Sequence, residues 1–335
     1  MVRGQVKGSS TGVFNPTFVH NGYNHFLVRA DEVEGRGSIL HFRLGNDALS
    51  IDDYIGVAVR PSDNPVDYDS ISCEDGRSYL WKNPVENRDE LYLVYVGHSG
   101  KFREDLRGAP PDTRLMLAVS YDSDLKHFQK LGPLFDDGLP DKDGAIINIA
   151  EDGSVLAARR PMVGKKWITY IMSAPNIKGP YTVVGMIPSI YDWMGDRNGA
   201  SQFVHIPGVG YVGMVHGAKE FNDSFLYSSG GVLLDEGGRL NALVQEADIA
   251  PLFEDEVQGI HGKRIALCSG LALIGEGPDA VLRMYSGRGD FSVGATDVPL
   301  RPYLNYLRSY ANRISLPPPN PTLEKNLEFV PSTSL

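Results

Sequence analysis

The chain of 335 residues is 42% hydrophobic and 22% charged, with 37 Gly, 22 Pro and 16 Tyr, the balance of an ordinary globular protein. Its formal charge is −10, from 32 Lys and Arg against 42 Asp and Glu, and it has no basic tail or Lys/Arg run, which argues against nucleic acid as a partner. No window approaches the roughly 18 continuous apolar residues that span a bilayer, and the N-terminal stretch lacks an apolar signal segment, so the expectation is a cytoplasmic protein without a membrane partner. Two cysteines, Cys73 and Cys268, are too few for a disulfide framework or a Cys-rich metal site and read as buried thiols.

In chain order, short runs rich in β-branched and aromatic residues appear at 24–28, 91–96, 115–119, 167–171 and 211–215, each bounded by Gly, Asn, Asp or Pro. No window beyond about 12 residues keeps a helical apolar period without a Gly or Pro interrupting it. The fold class is therefore all-β. Polar clusters introduce new apolar runs at Phe14-Asn15-Pro16, Cys73-Glu74-Asp75-Gly76-Arg77, Lys142-Asp143-Gly144-Ala145, Gly199-Ala200-Ser201-Gln202 and Glu256-Val257-Gln258-Gly259. Counted from Asn15, Asp75, Asp143, Ser201 and Glu256, the steps are 60, 68, 58 and 55 residues. Each step has room for four strands of about five or six residues plus turns. That is the content of one blade, so the sequence predicts a five-bladed β-propeller over residues 1–315, with each cluster opening the innermost strand of its blade and the five converging on one pocket. Any single cluster reads equally well as an ordinary turn. Residues 97–112 read as a long polar loop, a lid or an interface arm. Residues 316–335, with prolines at 317–319, read as an extended tail.

Cationic residues drawn from separate units point to an anion site, and arginine suits that task because its planar fork can hold two oxygens of one phosphate. Of the adjacent Arg159 and Arg160, a strand lets only one face the channel. His216, after the apolar run 211–215, taken alone reads more readily as a half-buried structural histidine than as a ligand.

Taken together, these passages resemble glycoside hydrolase family 130, five-bladed propellers that include mannoside phosphorylases. Phe14-Asn15-Pro16 and Leu27-Val28-Arg29-Ala30 are similar to that family's first-blade Asn-Pro and Tyr-Arg-Ala elements. Cys73 to Arg77 resembles its Glu-Asp-Pro-Arg signature, and Lys142-Asp143 with Arg159-Arg160-Pro161 its Lys-Asp and Arg-Pro elements. Val215-His216-Gly217, Tyr227 and Tyr285-Ser286-Gly287-Arg288-Gly289-Asp290 resemble its later elements. The matches keep their order over nearly the whole chain. Gly76 stands where the signature has Pro, Arg197 where a Lys is expected, and the loop after Gly97 is longer.

The resemblance implies Asp75 as proton donor, acting through a sugar hydroxyl, and Arg29, Arg160, Arg197, His216 and Tyr227 as the residues that hold inorganic phosphate. Asn15, Glu74, Arg77, Asp143, Tyr285 and Asp290 are the candidate sugar-binding residues, with Trp193 and Tyr191 as further aromatic walls. For Asp75 to donate near neutrality, burial or Glu74 would have to raise its pKa, and pairing with Arg77 would act the other way. The implied reaction is inverting phosphorolysis of a β-mannoside to α-mannose 1-phosphate. Two alternatives remain: a hydrolase in which Glu256 or Asp143 activates water, and a non-catalytic sugar-binding propeller. Dinucleotide, P-loop, zinc-protease and Ser-hydrolase motifs are missing, so no cofactor and no metal requirement is expected beyond phosphate as co-substrate. A structural ion in the channel, and monomer against oligomer, stay open.

Overall fold

The computed structural model describes residues 9–32, 36–99, 113–135, 137–163, 166–221, 224–251, 264–290 and 292–311, and among these it has twenty strands and one α-helix. Blade 1 is the antiparallel sheet β1 (Ser9–His20), β2 (Asn24–Glu32), β3 (Gly37–Leu44) and β4 (Ile51–Val59). Blade 2 follows as β5 (Ser72–Asn83), β6 (Arg88–His98), β7 (Thr113–Ser120) and β8 (Gln129–Pro133). Blade 3 is β9 (Asp141–Ile149), β10 (Val155–Val163), β12 (Thr169–Ala174) and β13 (Thr182–Ile187), with the short β11 (Lys166–Trp167) folded back on the end of β10. Blade 4 is β14 (Asn198–Ile206), β15 (Gly210–Phe221), β16 (Ser224–Leu234) and β17 (Leu240–Leu243). Blade 5 shows three strands among the described residues, β18 (Arg264–Ile274), β19 (Val281–Arg288) and β20 (Ser292–Pro299).

The first strands of the blades, β1, β5, β9, β14 and β18, pack in a closed ring, and one apolar cluster fills each of the five gaps between neighbouring blades. The chain is a five-bladed propeller. Cys73 lies in the core between blades 1 and 2 and Cys268 in that between blades 4 and 5, both as free thiols. The 316–335 tail and most of the 97–112 loop lie outside the described residues.

The polar clusters have a common physical cause. Every inner strand slips register at the same level: between Phe14 and Thr17, Glu74 and Arg77, Ala200 and Phe203, Cys268 and Gly270, and in β9 opposite Ala158 and Arg160. A bulge inserts one residue, ends the regular ladder and redirects side chains. At three of these bulges the inserted residue is left-handed, Asn15 (φ 48°), Asp75 (φ 51°) and Asp143 (φ 47°), and Asn and Asp tolerate that region best after Gly. The fifth bulge falls at Ser269, whose hydroxyl donates to Pro16 O at 2.7 Å. The sequence places the fifth cluster at Glu256–Gly259, which lies outside the described residues.

Just past the bulges, Gln202 joins four blades around the axis. Its Oε1 accepts from Thr17 Oγ1 (3.2 Å), Phe18 N (3.2 Å) and Leu271 N (3.3 Å), and its Nε2 donates to Phe18 O (2.6 Å) and Ser78 O (3.1 Å). The Thr17 and Ser78 hydroxyls, 2.8 Å apart, complete a buried polar plug under the pocket. The helix α1 (Leu300–Ser309) buries Leu300, Tyr303, Leu304 and Leu307 in the core between blades 4 and 5. Its helical period is masked in the sequence by Pro302, which falls in the first turn, where a missing N–H costs no helical bond.

Candidate active site

The left-handed bulge residues Asn15, Asp75 and Asp143 bring their side chains to one polar site, which divides into a carboxylate half and a cationic half. In the first, Asp75 Oδ1 accepts from Asn15 Nδ2 at 2.7 Å and lies 3.4 Å from Arg29 NH1. Arg29 also holds Asp31 through two contacts (2.9 and 3.2 Å) and Glu74 Oε2 at 3.0 Å. His98 Nε2 approaches Glu74 Oε2 and Lys142 Nζ, each at 3.3 Å. Burial alone would raise the Glu74 carboxyl, but Arg29, with His98 and Lys142 behind it, holds it well below the usual carboxylate range. Glu74 is thus a paired anion.

The cationic half is built around Asp143. Arg160 NH1 donates to Asp143 Oδ2, and His216 Nε2 lies 3.5 Å from that oxygen and 3.3 Å from Arg160 NH1. Burial would push Asp143 up, yet Arg160, His216 and Arg77 hold its carboxyl far below the ordinary range. Burial also lowers the His216 imidazole against the opposing pull of Asp143, leaving a neutral ring at neutral pH. Tyr227 sits 6.4 Å from His216, centroid to centroid; burial raises its phenol, opposed by Arg160 and Arg197, so it enters as a neutral hydroxyl. Asp290, left-handed at φ 59° in the turn after β19, acts on Tyr227 from the blade 5 side. Gly199 lets His216 and Arg160 meet: a Cβ there would lie 2.4 Å from His216 Cε1 and 2.8 Å from Arg160 NH1.

Several donors in this half lack acceptors. Arg160 Nε, Arg77 NH2 and His216 Nδ1 are buried without a hydrogen-bond partner. If Arg160 NH1 donates to Nε2 of the neutral His216, the ring proton sits on Nδ1, making that atom a donor too. Asn15 Oδ1 is likewise unpartnered beside Asp75. Buried polar atoms that no protein group satisfies are costly unless something else pairs with them, and these suit a polar ligand.

The structure corrects five sequence-based assignments. Tyr285 is core: its ring stacks on Phe18 at 5.5 Å and meets Phe26 edge-on at 4.6 Å, and its hydroxyl donates to Ala48 O at 2.9 Å. Arg77, 0% exposed, donates to the Asp75, Gly76 and Ala200 carbonyls and is out of reach of a sugar. Arg29 has all three nitrogens on carboxylates, which would repel a phosphate, and so belongs with Asp75. Trp193 and Tyr191 pack in the cores flanking blade 4.

The pocket's aromatic rings are instead Trp167, 5.1 Å from the Arg160 guanidinium, and Phe225, 4.2 Å from that of Arg197. Neither was legible in the sequence: Trp167 meets Arg160 only because β11 folds back on β10, and Phe225 reaches Arg197 from a different strand of blade 4. The open choice between adjacent arginines resolves by strand alternation: Arg160 faces the pocket, while Arg159 points away and binds Asp137 (2.6 and 2.7 Å) and Asp141 (3.1 Å).

Fold and pocket together define a propeller whose axial cavity sets a carboxylate group against a cationic cradle. The same fold occurs in β-1,2-mannobiose phosphorylase from Listeria innocua, solved with β-1,2-mannobiose: TM-score 0.71 and 18% identity over 92% of this chain and 95% of that one. It occurs in a structure reported with glycoside hydrolases of the GH130 family of mannoside phosphorylases that target β-1,2 mannosidic linkages in Candida mannan, with TM-score 0.66 and 17% identity over 88% of this chain and 86% of that one. A glycosyl hydrolase from Bacteroides ovatus matches with TM-score 0.64 and 17% identity over 88% and 86%. No family model and no curated protein matches the sequence. At these identities the likeness is one of fold, and that fold is shared by the family whose motifs the sequence resembles.

Proposed function

We propose that the protein is an enzyme acting on glycosides, and specifically an inverting phosphorylase of a β-mannoside. The observation that carries this reading is the pair of buried polar nitrogens without hydrogen-bond partners, Arg160 Nε and His216 Nδ1, in the half of the pocket that also holds Arg197 and Tyr227. Arg160, Arg197, His216 and Tyr227 hold the phosphate, and Asn15, Glu74 and Asp290 bind sugar hydroxyls. A phosphate oxygen attacks the anomeric carbon, the bond to the leaving oxygen breaks, and the proton of Asp75 passes to that oxygen, directly or through a sugar hydroxyl.

Hydrolysis through Asp143 is disfavoured on one ground. Asp143, a candidate base for water, is tied to Arg160 and held far below the ordinary carboxylate range, which makes it a poor proton acceptor. The other candidate, Glu256, lies outside the described residues.

The test is incubation with β-1,2- and β-1,4-mannobiose, with and without phosphate, followed by NMR. The expected product is α-mannose 1-phosphate, formed only with phosphate. Free mannose released equally fast in both tubes overturns phosphorolysis. A second expectation concerns Gly199→Ala, whose methyl displaces both His216 and Arg160. The KM for phosphate should rise at least about tenfold, the loss of roughly 1.4 kcal/mol of binding, while the KM for the disaccharide stays within about threefold. Initial-rate kinetics with each substrate varied in turn checks the split.

A further inference from the structure

Arg77 is buried to its last atom, yet it is a cation at the meeting point of three bulges. Its NH1 donates to Asp75 O and Gly76 O, both at 3.0 Å, and these are carbonyls that the register slip in β5 takes off the ladder. Its Nε reaches Ala200 O at 3.3 Å, where β14 slips. Its NH2 faces Asp143 Oδ1 at 3.8 Å, on the bulge of β9. One rigid guanidinium therefore touches the bulges of blades 2, 3 and 4. A lysine at this position has all its donors on one nitrogen, whereas the guanidinium spreads them over three atoms that face three separate bulges.

Asp75 needs such support. Its left-handed backbone is unfavourable for a residue with a Cβ, and strained conformations of this kind persist where the surroundings over-determine them. The Asp75 side chain is held by Asn15 and Arg29, both of blade 1, whereas its backbone is held by Arg77. The cationic half belongs to blades 3 and 4. Arg77 is thus the direct bridge between the backbone that carries the acid and the bulges that flank the cradle.

We infer that Arg77 is a positioning residue: it sets where Asp75 stands relative to the anion cradle without touching substrate. This rests on the glycoside reading above for its kinetic consequences, but not for its structural one. A misplacement of about 1 Å in a reacting group can cost on the order of a hundredfold in rate.

The experiment compares R77K with wild type on β-mannobiose and on a p-nitrophenyl β-mannoside, whose leaving group departs without a proton. The expected result is a fall in kcat of about a hundredfold on the disaccharide, under about fivefold on the aryl glycoside, and KM values for sugar and phosphate within about threefold. Equal loss on both substrates means a general structural role and overturns the inference. So does a rise in KM with kcat unchanged, which would make Arg77 a binding residue.

Amide hydrogen exchange over residues 73–77 is measured in parallel and should be at least about tenfold faster in R77K. Unchanged exchange overturns the positioning role whatever the activities are. A wild type inactive on both glycosides, with exchange accelerated in the variant, would reject the glycoside reading and leave the bridge intact. If R77K does not fold, Gly76→Ala replaces it. The added Cβ would lie 2.9 Å from Leu93 Cδ1, the mobile end of a side chain, and shifts the same bulge. The same substrate-dependent loss is expected at smaller size, and equal loss on both substrates is again the overturning result.

Discussion

Asp75→Asn should lower kcat/KM on β-mannobiose by about a thousandfold, within the range that general acids contribute, while leaving the fold and sugar binding in place. The pocket tolerates the exchange. The new carboxamide keeps an oxygen for Asn15 Nδ2, and Arg29 retains Asp31 and Glu74 as partners. What it lacks is a transferable proton. Kinetics on the disaccharide and on the p-nitrophenyl glycoside separate the possibilities: activity on the latter should fall by less than about tenfold. Turnover of the disaccharide within tenfold of wild type would place the acid elsewhere. A non-catalytic sugar-binding propeller predicts a different pattern, with wild type and variant equally inactive and calorimetric binding of mannobiose equal in both.

The polar clusters were readable because a bulge residue with positive φ is restricted to few residue types, and Asn15, Asp75 and Asp143 each mark one. Ser269 has no such signature, and the polar run at 256–259 is the more conspicuous one in the sequence. The pairing of Arg29 is written in the sequence: Asp31 is two residues on, hence on the same face of the strand, and a carboxylate there neutralises the arginine. Tyr285 shows the limit of matching short motifs. Its neighbours in the chain lie near the pocket, but its ring points into the core between blades 5 and 1, and only the position of Ala48 reveals where its hydroxyl goes. Trp167 and Phe225 depend on which arginine lies under which ring, information that arises only when β11 folds back on β10 in blade 3 and β16 is brought beside the start of β14 in blade 4.

The second large effect is on stability and lies away from the pocket, in blade 1. His25 on β2 and His41 on β3 are buried and share a hydrogen bond of 2.9 Å between Nδ1 and Nε2, while His25 Nε2 meets Asn21 Oδ1 at 2.9 Å. Two neutral rings satisfy this chain: His41 donates to His25, and His25 donates to Asn21. A further proton on His25 Nδ1 would set N–H against N–H. Burial first, then Arg43 and His20, lowers His25 from 6.5 to about 4, with Asp124 opposing. Burial, His25 and Arg43 lower His41 likewise to about 4. Both folded-state values lie below the unfolded one, so the unfolded chain binds more protons between pH 6.5 and 4. Stability is therefore full above 6.5, falls as the pH drops, and levels off near 4. One such proton is worth on the order of 3 kcal/mol. Asp141, pushed up to about 6 by burial, takes a proton in the folded state and offsets part of the loss, while the paired Glu74 and Asp143 add to it at lower pH. A comparison in which these contributions cancel isolates the histidines: urea unfolding of wild type and of the double variant His25→Gln/His41→Gln at pH 7.5 and pH 4.5. Each histidine contributes about 2.5 kcal/mol over this range, so wild type should lose about 5 kcal/mol more than the double variant between the two pH values, and equal losses would show that the histidine pair does not govern the acid limb.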